Sequence, residues 1–105
     1  MKREKHTRLV FDDIRVDIRQ VMDARKVKHF VINVALLDDN NVHDVFRVDT
    51  AHGYLHMQKF WISSEPIKLQ DKRKDNYAGD FGYWKNKVEN EWKTYVELYK
   101  KMKRR

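Results

Sequence analysis

The sequence predicts an α+β fold in which an antiparallel meander of four to five strands packs against one long C-terminal helix. Three observations carry that expectation. Apolar residues alternate with polar ones, or run nearly continuously, over residues 14–19, 30–37, 42–50 and 54–62, as in strands that are half-buried or central in a sheet. From Phe81 to Met102, apolar and aromatic residues recur at intervals of three and four, the period of one helix face. Between the third and fourth runs lies Asp49-Thr50-Ala51-His52-Gly53-Tyr54-Leu55-His56, a compact polar segment that suits a turn.

Taken in order, Ile14-Arg15-Val16-Asp17-Ile18-Arg19 alternates strictly and reads as a half-buried strand. Phe30 to Leu37 is β-branched and nearly continuous, which suits a central strand with both faces partly covered. Asp38-Asp39-Asn40-Asn41 then breaks the pattern with turn residues. A three-residue loop ending in a left-handed Asn41 opposes residues whose numbers sum to 80, setting Val34 against Phe46 and Ile32 against Val48. A two-residue loop would set Ile32 against Arg47 instead, so the first register keeps one face apolar. Val31, Ala35, Leu37 and Val45 then share the second face, which predicts either a covering segment such as residues 1–11 or a partner subunit.

Pro66 closes the fourth run, and Ser63 to Gly79 is polar and loop-like, with room for an edge strand at Ile67-Lys68-Leu69. A basic-acidic run, Asp71-Lys72-Arg73-Lys74-Asp75, lies within it. Asp80 is the expected N-cap of a helix reaching about Met102. Its stripe of Phe81, Trp84, Val88, Trp92, Tyr95, Tyr99 and Met102 is expected to pack on the sheet, the alternative being a partner seam. Tyr54, Phe60 and Trp61 fill the sheet core in one reading and stack nucleic-acid bases in the other.

The chain has 105 residues, the size of a single domain. It contains no cysteine, which excludes disulfides, thiolate chemistry and cysteine-based zinc sites. No apolar run approaches the ~18 residues of a membrane span, so the expectation is a cytoplasmic protein without a membrane partner. The net charge of +7 is unevenly spread. Residues 1–8 hold four basic residues against one acidic, residues 100–105 hold five basic, and residues 9–99 hold 14 basic against 15 acidic. Both ends are expected to be flexible or to overhang the fold. A nucleic-acid partner is the functional reading of such ends, with Arg47, Lys59, Lys100, Lys101, Lys103, Arg104 and Arg105 as candidate contacts.

If His52-Gly53 is a two-residue turn, residues whose numbers sum to 105 face each other, which sets Asp49 against His56 and Arg47 against Gln58. A carboxylate can hold an imidazole in one tautomer for proton transfer, and a guanidinium can bind phosphate or a developing anion. Arg47, Asp49, His52 and His56 are therefore the candidate catalytic residues, in a constellation suited to metal-independent RNA cleavage. The competing reading is a cross-strand ion pair that stabilises the hairpin. No metal or other cofactor is expected, because the histidine spacing spans a turn instead of a helix face. His6 and His29 have no partner visible in the sequence.

Through Asp49-Thr-Ala-His-Gly-Tyr-Leu-His56 and the Trp92, Tyr95 and Tyr99 helix, the chain resembles an uncharacterised family of short archaeal and bacterial proteins. That family pairs a D-T-A-H-G segment and a following histidine with a Trp/Tyr-rich C-terminal helix. The likeness runs from about Phe30 to Tyr99, and Leu55 stands where such proteins often carry proline. The resemblance implies no activity. Some members are similar in size and layout to components of toxin–antitoxin modules. The leading expectation is a small RNA- or nucleic-acid-associated protein, toxin-like, with metal-independent RNase activity as its bolder form. The alternative is a non-enzymatic interaction module, such as an antitoxin, an accessory subunit or a homodimer.

Overall fold

The structure, a computed structural model, describes residues 2–103, apart from the side chain of His52. Strands β1 (Lys2–Phe11), β2 (Ile14–Asp23), β3 (Lys26–Asp38), β4 (Asn41–Asp49), β5 (His56–Lys59) and β6 (Ile67–Lys68) form one sheet in chain order. Each neighbouring pair is antiparallel. The meander is the expected one, with six strands instead of four to five. The unforeseen strand is β1. Its register runs from Lys2 opposite Asp23 to Phe11 opposite Ile14, so residues 2–8 belong to an edge strand. Both of its faces are largely exposed, hence no apolar period announces it; the backbone ladder with β2 holds it in place. Lying beside β2, it does not cover the sheet's second face.

The first three hairpins turn on two residues each, and their first loop residues, Asp12, Ala24 and Asp39, take φ values of 54°, 57° and 52°. Such left-handed residues match the twist of the flanking strands. The β3–β4 loop therefore has two residues, not three, since Asp38 pairs with Asn41. The expected core register is nevertheless present, with Val34 opposite Phe46 and Ile32 opposite Val48. A β-bulge reconciles the two facts: Ala35 pairs with Asp44, which leaves Val45 as the extra residue. Val45 and Phe46 are both fully buried as a result, so Val45 joins the core instead of lying on the open face.

Helix α1 (Ala78–Lys103) crosses β3 and β4. Phe46 stacks on Tyr95 with ring centroids 4.4 Å apart, Trp61 stacks on the same tyrosine at 5.7 Å, and Phe81 meets Phe30 edge-on at 5.4 Å. Trp84, Val88, Tyr95 and Val96 are buried, Phe81, Trp92 and Tyr99 are partly buried, and Met102 is exposed. The stripe is thus core, as expected, and Trp61 is core with it. Among the described residues, no helix is long and apolar enough to cross a membrane.

The helix begins two residues before the expected Asp80. The Asn76 carboxamide oxygen accepts the Ala78 and Val27 N–H groups, each at 3.0 Å, and the Tyr77 N–H donates to the Val27 carbonyl at 2.8 Å. One side chain thereby caps the helix and pins its start to β3. Asp80, in the first turn, accepts from Gln70 Nε2 at 2.9 Å and Lys74 Nζ at 3.0 Å, with its charge favourable at the helix N-terminus.

The loop before the helix is clamped at Asp75, whose carboxylate bridges Lys26 and Lys28 of β3. Hydrogen bonds from Lys26 and then Lys28 lower its pKa to about 2 from an ordinary 3.8. The folded value lies below the unfolded one, so this contribution to stability is complete above the unfolded pKa and lost as pH falls through about 2. A carboxyl carbon titration by NMR is expected to place Asp75 near 2, with a return towards the ordinary range in Lys26→Met/Lys28→Met. An ordinary midpoint in the unmutated chain would mean the clamp does not form.

Candidate functional site

The β4–β5 register is the predicted one: Asp49 pairs with His56 and Arg47 with Gln58. The connection between them is longer than a two-residue turn. Pairing stops at Asp49, and Ala51–Gly53 forms a short 3-10 turn. Thr50 does not pair with Leu55; its N–H donates to the Phe30 carbonyl at 3.1 Å and its Oγ1 accepts the Phe30 N–H at 3.0 Å.

Asp49 organises this corner. One carboxylate oxygen lies 2.6 Å from His56 Nε2 and accepts the Ala51 N–H at 3.1 Å, and the other accepts from Arg47 Nε at 2.6 Å. The second imidazole nitrogen of His56 lies 3.2 Å from the Tyr54 carbonyl. The Asp49 and His56 side chains are 3% and 9% exposed, whereas Arg47 is 39% exposed. Asp49, His56 and Arg47 are thus brought together as expected. Both carboxylate oxygens and both ring nitrogens are engaged, however, which makes the cluster a bracket for the segment that follows. The side chain of the fourth candidate, His52, and both Arg104 and Arg105 lie outside the described residues.

Asp49 and Thr50 point to different sides of the sheet, and Thr50 faces a cavity of about 660 Å³. Its walls come from the start of β3 (Lys28, His29), the Thr50–Gly53 segment, and the loop carrying Arg73, Lys74 and Asp75, with Tyr77 behind. His29 Nδ1 lies 2.7 Å from Thr50 Oγ1. Gly53 has φ 85°, and a Cβ there would sit 2.8 Å from the Arg73 guanidinium carbon. Only a residue without a side chain permits both that backbone and that approach. The Tyr77 hydroxyl donates to the Gly53 carbonyl at 2.8 Å and accepts the Lys74 N–H at 3.0 Å, closing the wall. The run 71–75 and His29 are both visible in the sequence, but no local pattern gives either a partner.

The sheet face away from the helix holds a second cavity, of about 200 Å³, where His6, Arg8, Asp17, Arg19, Asn33 and Arg47 meet. Asp17 accepts from Arg8 Nε at 2.7 Å and Arg15 Nε at 3.0 Å, with His6 Nε2 at 3.2 Å. Burial acts to raise its pKa, but the hydrogen bonds from Arg8 and His6 and the charges of Arg8 and Arg15 outweigh that and hold it below its ordinary value. His6 therefore has a partner that only the β1–β2 pairing supplies. Arginines on this face are matched by acids: Arg8 and Arg15 by Asp17, Arg19 by Glu4, and Arg47 by Asp49.

Charge is instead segregated between the two ends of the sheet. At the end where β1 starts stand Lys2, Arg3, Lys5, Arg25, Lys26, Lys28, Lys72, Arg73 and Lys74, nine basic residues against Glu4, Asp23, Asp71, Asp75 and Asp80. At the opposite end, Lys100, Lys101 and Lys103 of the helix meet the turns that carry Asp12, Asp13, Asp38 and Asp39, with Lys100 3.9 Å from Asp13. Lys59 lies on the helix side, close enough to Glu91 to lower that carboxyl's pKa, although the Tyr95 hydroxyl is the larger cause. The candidate nucleic-acid contacts among the described residues, Lys59, Lys100, Lys101 and Lys103, thus do not form one surface with Arg47.

These features define an α+β protein built on a six-stranded meander, with one basic end and a cavity set into it. The chain belongs to the family described as Domain of unknown function (DUF7718), whose model matches residues 1–105. No curated protein and no solved structure matches it.

Proposed function

We propose that the protein is nucleic-acid-associated and binds the sugar-phosphate backbone, RNA foremost, at the basic end of the sheet. The observation that carries this reading is the charge segregation: nine basic residues gather against five acidic ones at that end, while acidic turns answer the helix C-terminus. Phosphate backbones are held mainly by such clusters. Arg47, Asp49 and His56 enter as a bracket that shapes the Thr50–Gly53 segment. The reading includes no cleavage step, because the groups a proton transfer would use are engaged with one another.

Fluorescence anisotropy with a single-stranded RNA tests it. Affinity is expected to fall steeply with salt, with a log–log slope of about −0.7 per phosphate neutralised. Arg25→Glu/Lys72→Glu, at two residues without ion pairs among the described residues, is expected to weaken binding by about tenfold or more, roughly 1.4 kcal/mol. Removal of residues 100–105 is expected to change it little. Absence of affinity at low salt, or loss on that truncation alone, would overturn the proposal.

A second reading is favoured by β1, whose ten-residue outer edge has no strand partner among the described residues and whose Leu9, Val10 and Phe11 are exposed. An interaction module would pair another strand there. A stable dimer in sedimentation, without RNA affinity, selects this reading.

A further inference from the structure

We propose that the cavity between the Thr50–Gly53 segment and the Arg73 loop is a binding site for a terminal phosphate monoester. The inference goes beyond backbone binding and stands on the cavity's own groups. Arg73 makes no hydrogen bond or ion pair among the described residues, yet its guanidinium is packed against Gly53, where any side chain would displace it. The other lysines at the cavity wall have partners: Lys28 shares Asp75 with Lys26, and Lys74 holds Asp80. Asp75 is therefore answered by two cations, which leaves the cavity with an excess of positive charge. Arg73 is the unanswered guanidinium within it.

A second polar group, His29, faces the same space. Thr50 Oγ1 accepts the Phe30 N–H, and its hydroxyl has two places to donate: His29 Nδ1 at 2.7 Å or the Phe30 carbonyl at 3.5 Å. The 2.7 Å contact engages Nδ1, which leaves Nε2 as the ring nitrogen for a ligand. Nε2 has no partner among the described residues. Arg73 from the loop, with His29 and Lys28 from the start of β3, thus supply a planar fork, an imidazole nitrogen and an ammonium. A phosphate monoester offers three acceptor oxygens and close to two negative charges at neutral pH, which such a set can satisfy. A backbone diester, with a single charge and two free oxygens, uses fewer of these donors. The cavity, about 660 Å³, is far larger than a phosphate and lies in the range that holds a small molecule, so the group's carrier also has room.

NMR titration of the labelled full chain with phenyl phosphate provides the test, using inorganic phosphate as a second probe. Saturable shifts are expected at the His29 ring and at the Thr50 and Gly53 amides. Arg73→Ala is expected to weaken phenyl phosphate binding by about tenfold or more with an unchanged melting temperature, since Arg73 makes no hydrogen bond or ion pair among the described residues. Arg73→Lys should restore part of it. Arg25→Glu/Lys72→Glu should weaken phenyl phosphate binding less than Arg73→Ala does and RNA binding more, which separates this site from the backbone surface. Two oligonucleotides, 5′-phosphorylated and 5′-hydroxyl, identify the carrier. Tighter binding of the first, lost in Arg73→Ala, assigns the monoester to a nucleic-acid end. Phenyl phosphate binding without that difference assigns it to a small molecule. Shifts that are absent at millimolar probe, that fall outside the cavity, or that survive Arg73→Ala undiminished would overturn the proposal.

Discussion

Asp49→Ala is expected to lower stability by about 3–5 kcal/mol, the range for removing one partner of a buried ion pair. The magnitude follows from the number of groups one carboxylate serves. His56 Nε2, Arg47 Nε and the Ala51 N–H all converge on it, and an alanine supplies none of their acceptors. Arg47 turns to solvent at modest cost because it is partly exposed, whereas His56 is nearly buried and cannot. Asp49→Asn keeps an acceptor oxygen for Ala51 but loses the charge, so an intermediate value is expected. Urea denaturation checks this through a lowered midpoint at constant m-value. A loss under about 1 kcal/mol would be that of a surface ion pair and would mean the bracket is not closed. Because Ala51 starts the turn that places Thr50 and Gly53, the same substitution is expected to weaken phenyl phosphate binding as well.

Phe46→Ala is expected to cost about 3–5 kcal/mol, in line with removal of a fully buried ring. Phe46 is 1% exposed and meets both Tyr95, at 4.4 Å, and Trp84, at 6.1 Å. The ring sits where the sheet and helix are joined, so neighbouring aromatics, themselves held by α1, cannot close over the space. Phe46→Leu is expected to recover more than half of the loss. Equilibrium unfolding in urea again provides the measurement. A small effect of Phe46→Ala would show that the chain slides at the Val45 bulge and brings another side chain inward, in which case the β3–β4 register would not be unique.

Most of the fold was legible because burial leaves a period in the sequence. The alternation of residues 14–19, the continuous run at 30–37 and the three-four spacing of the helix stripe each correspond to an element facing the core. The Asp49–His56 pairing was legible for the same reason, since side-chain parity on adjacent strands dictates which residues share a face. Strand β1 was not legible, because its ten residues are almost all exposed and their charges carry no alternation. The Val45 bulge was hidden as well: a three-residue loop and a two-residue loop with a bulge give the same pairing inside the core.

The cavity stood further from view. Its walls come from Lys28 and His29, from Thr50 to Gly53, and from Arg73 and Lys74, segments whose own patterns say nothing of one another. What joins them is the seating of Asn76 and Tyr77 on Val27, together with the Asp75 clamp on Lys26 and Lys28. The distribution of charge in space was equally out of view. The basic residues at the helix C-terminus are prominent in the sequence, but the turns at Asp12–Asp13 and Asp38–Asp39 come to meet them only once the meander has formed.

By itself, then, the sequence determined the α+β class, the order of the core elements and the meeting of Asp49 with His56, because each follows from local periodicity and strand parity. The tertiary structure alone decided that β1 forms the sheet's outer edge, that Val45 turns inward, and that Arg73, without an ion pair among the described residues, comes to rest on Gly53. Those outcomes depend on contacts between residues far apart in the chain, which no local pattern encodes.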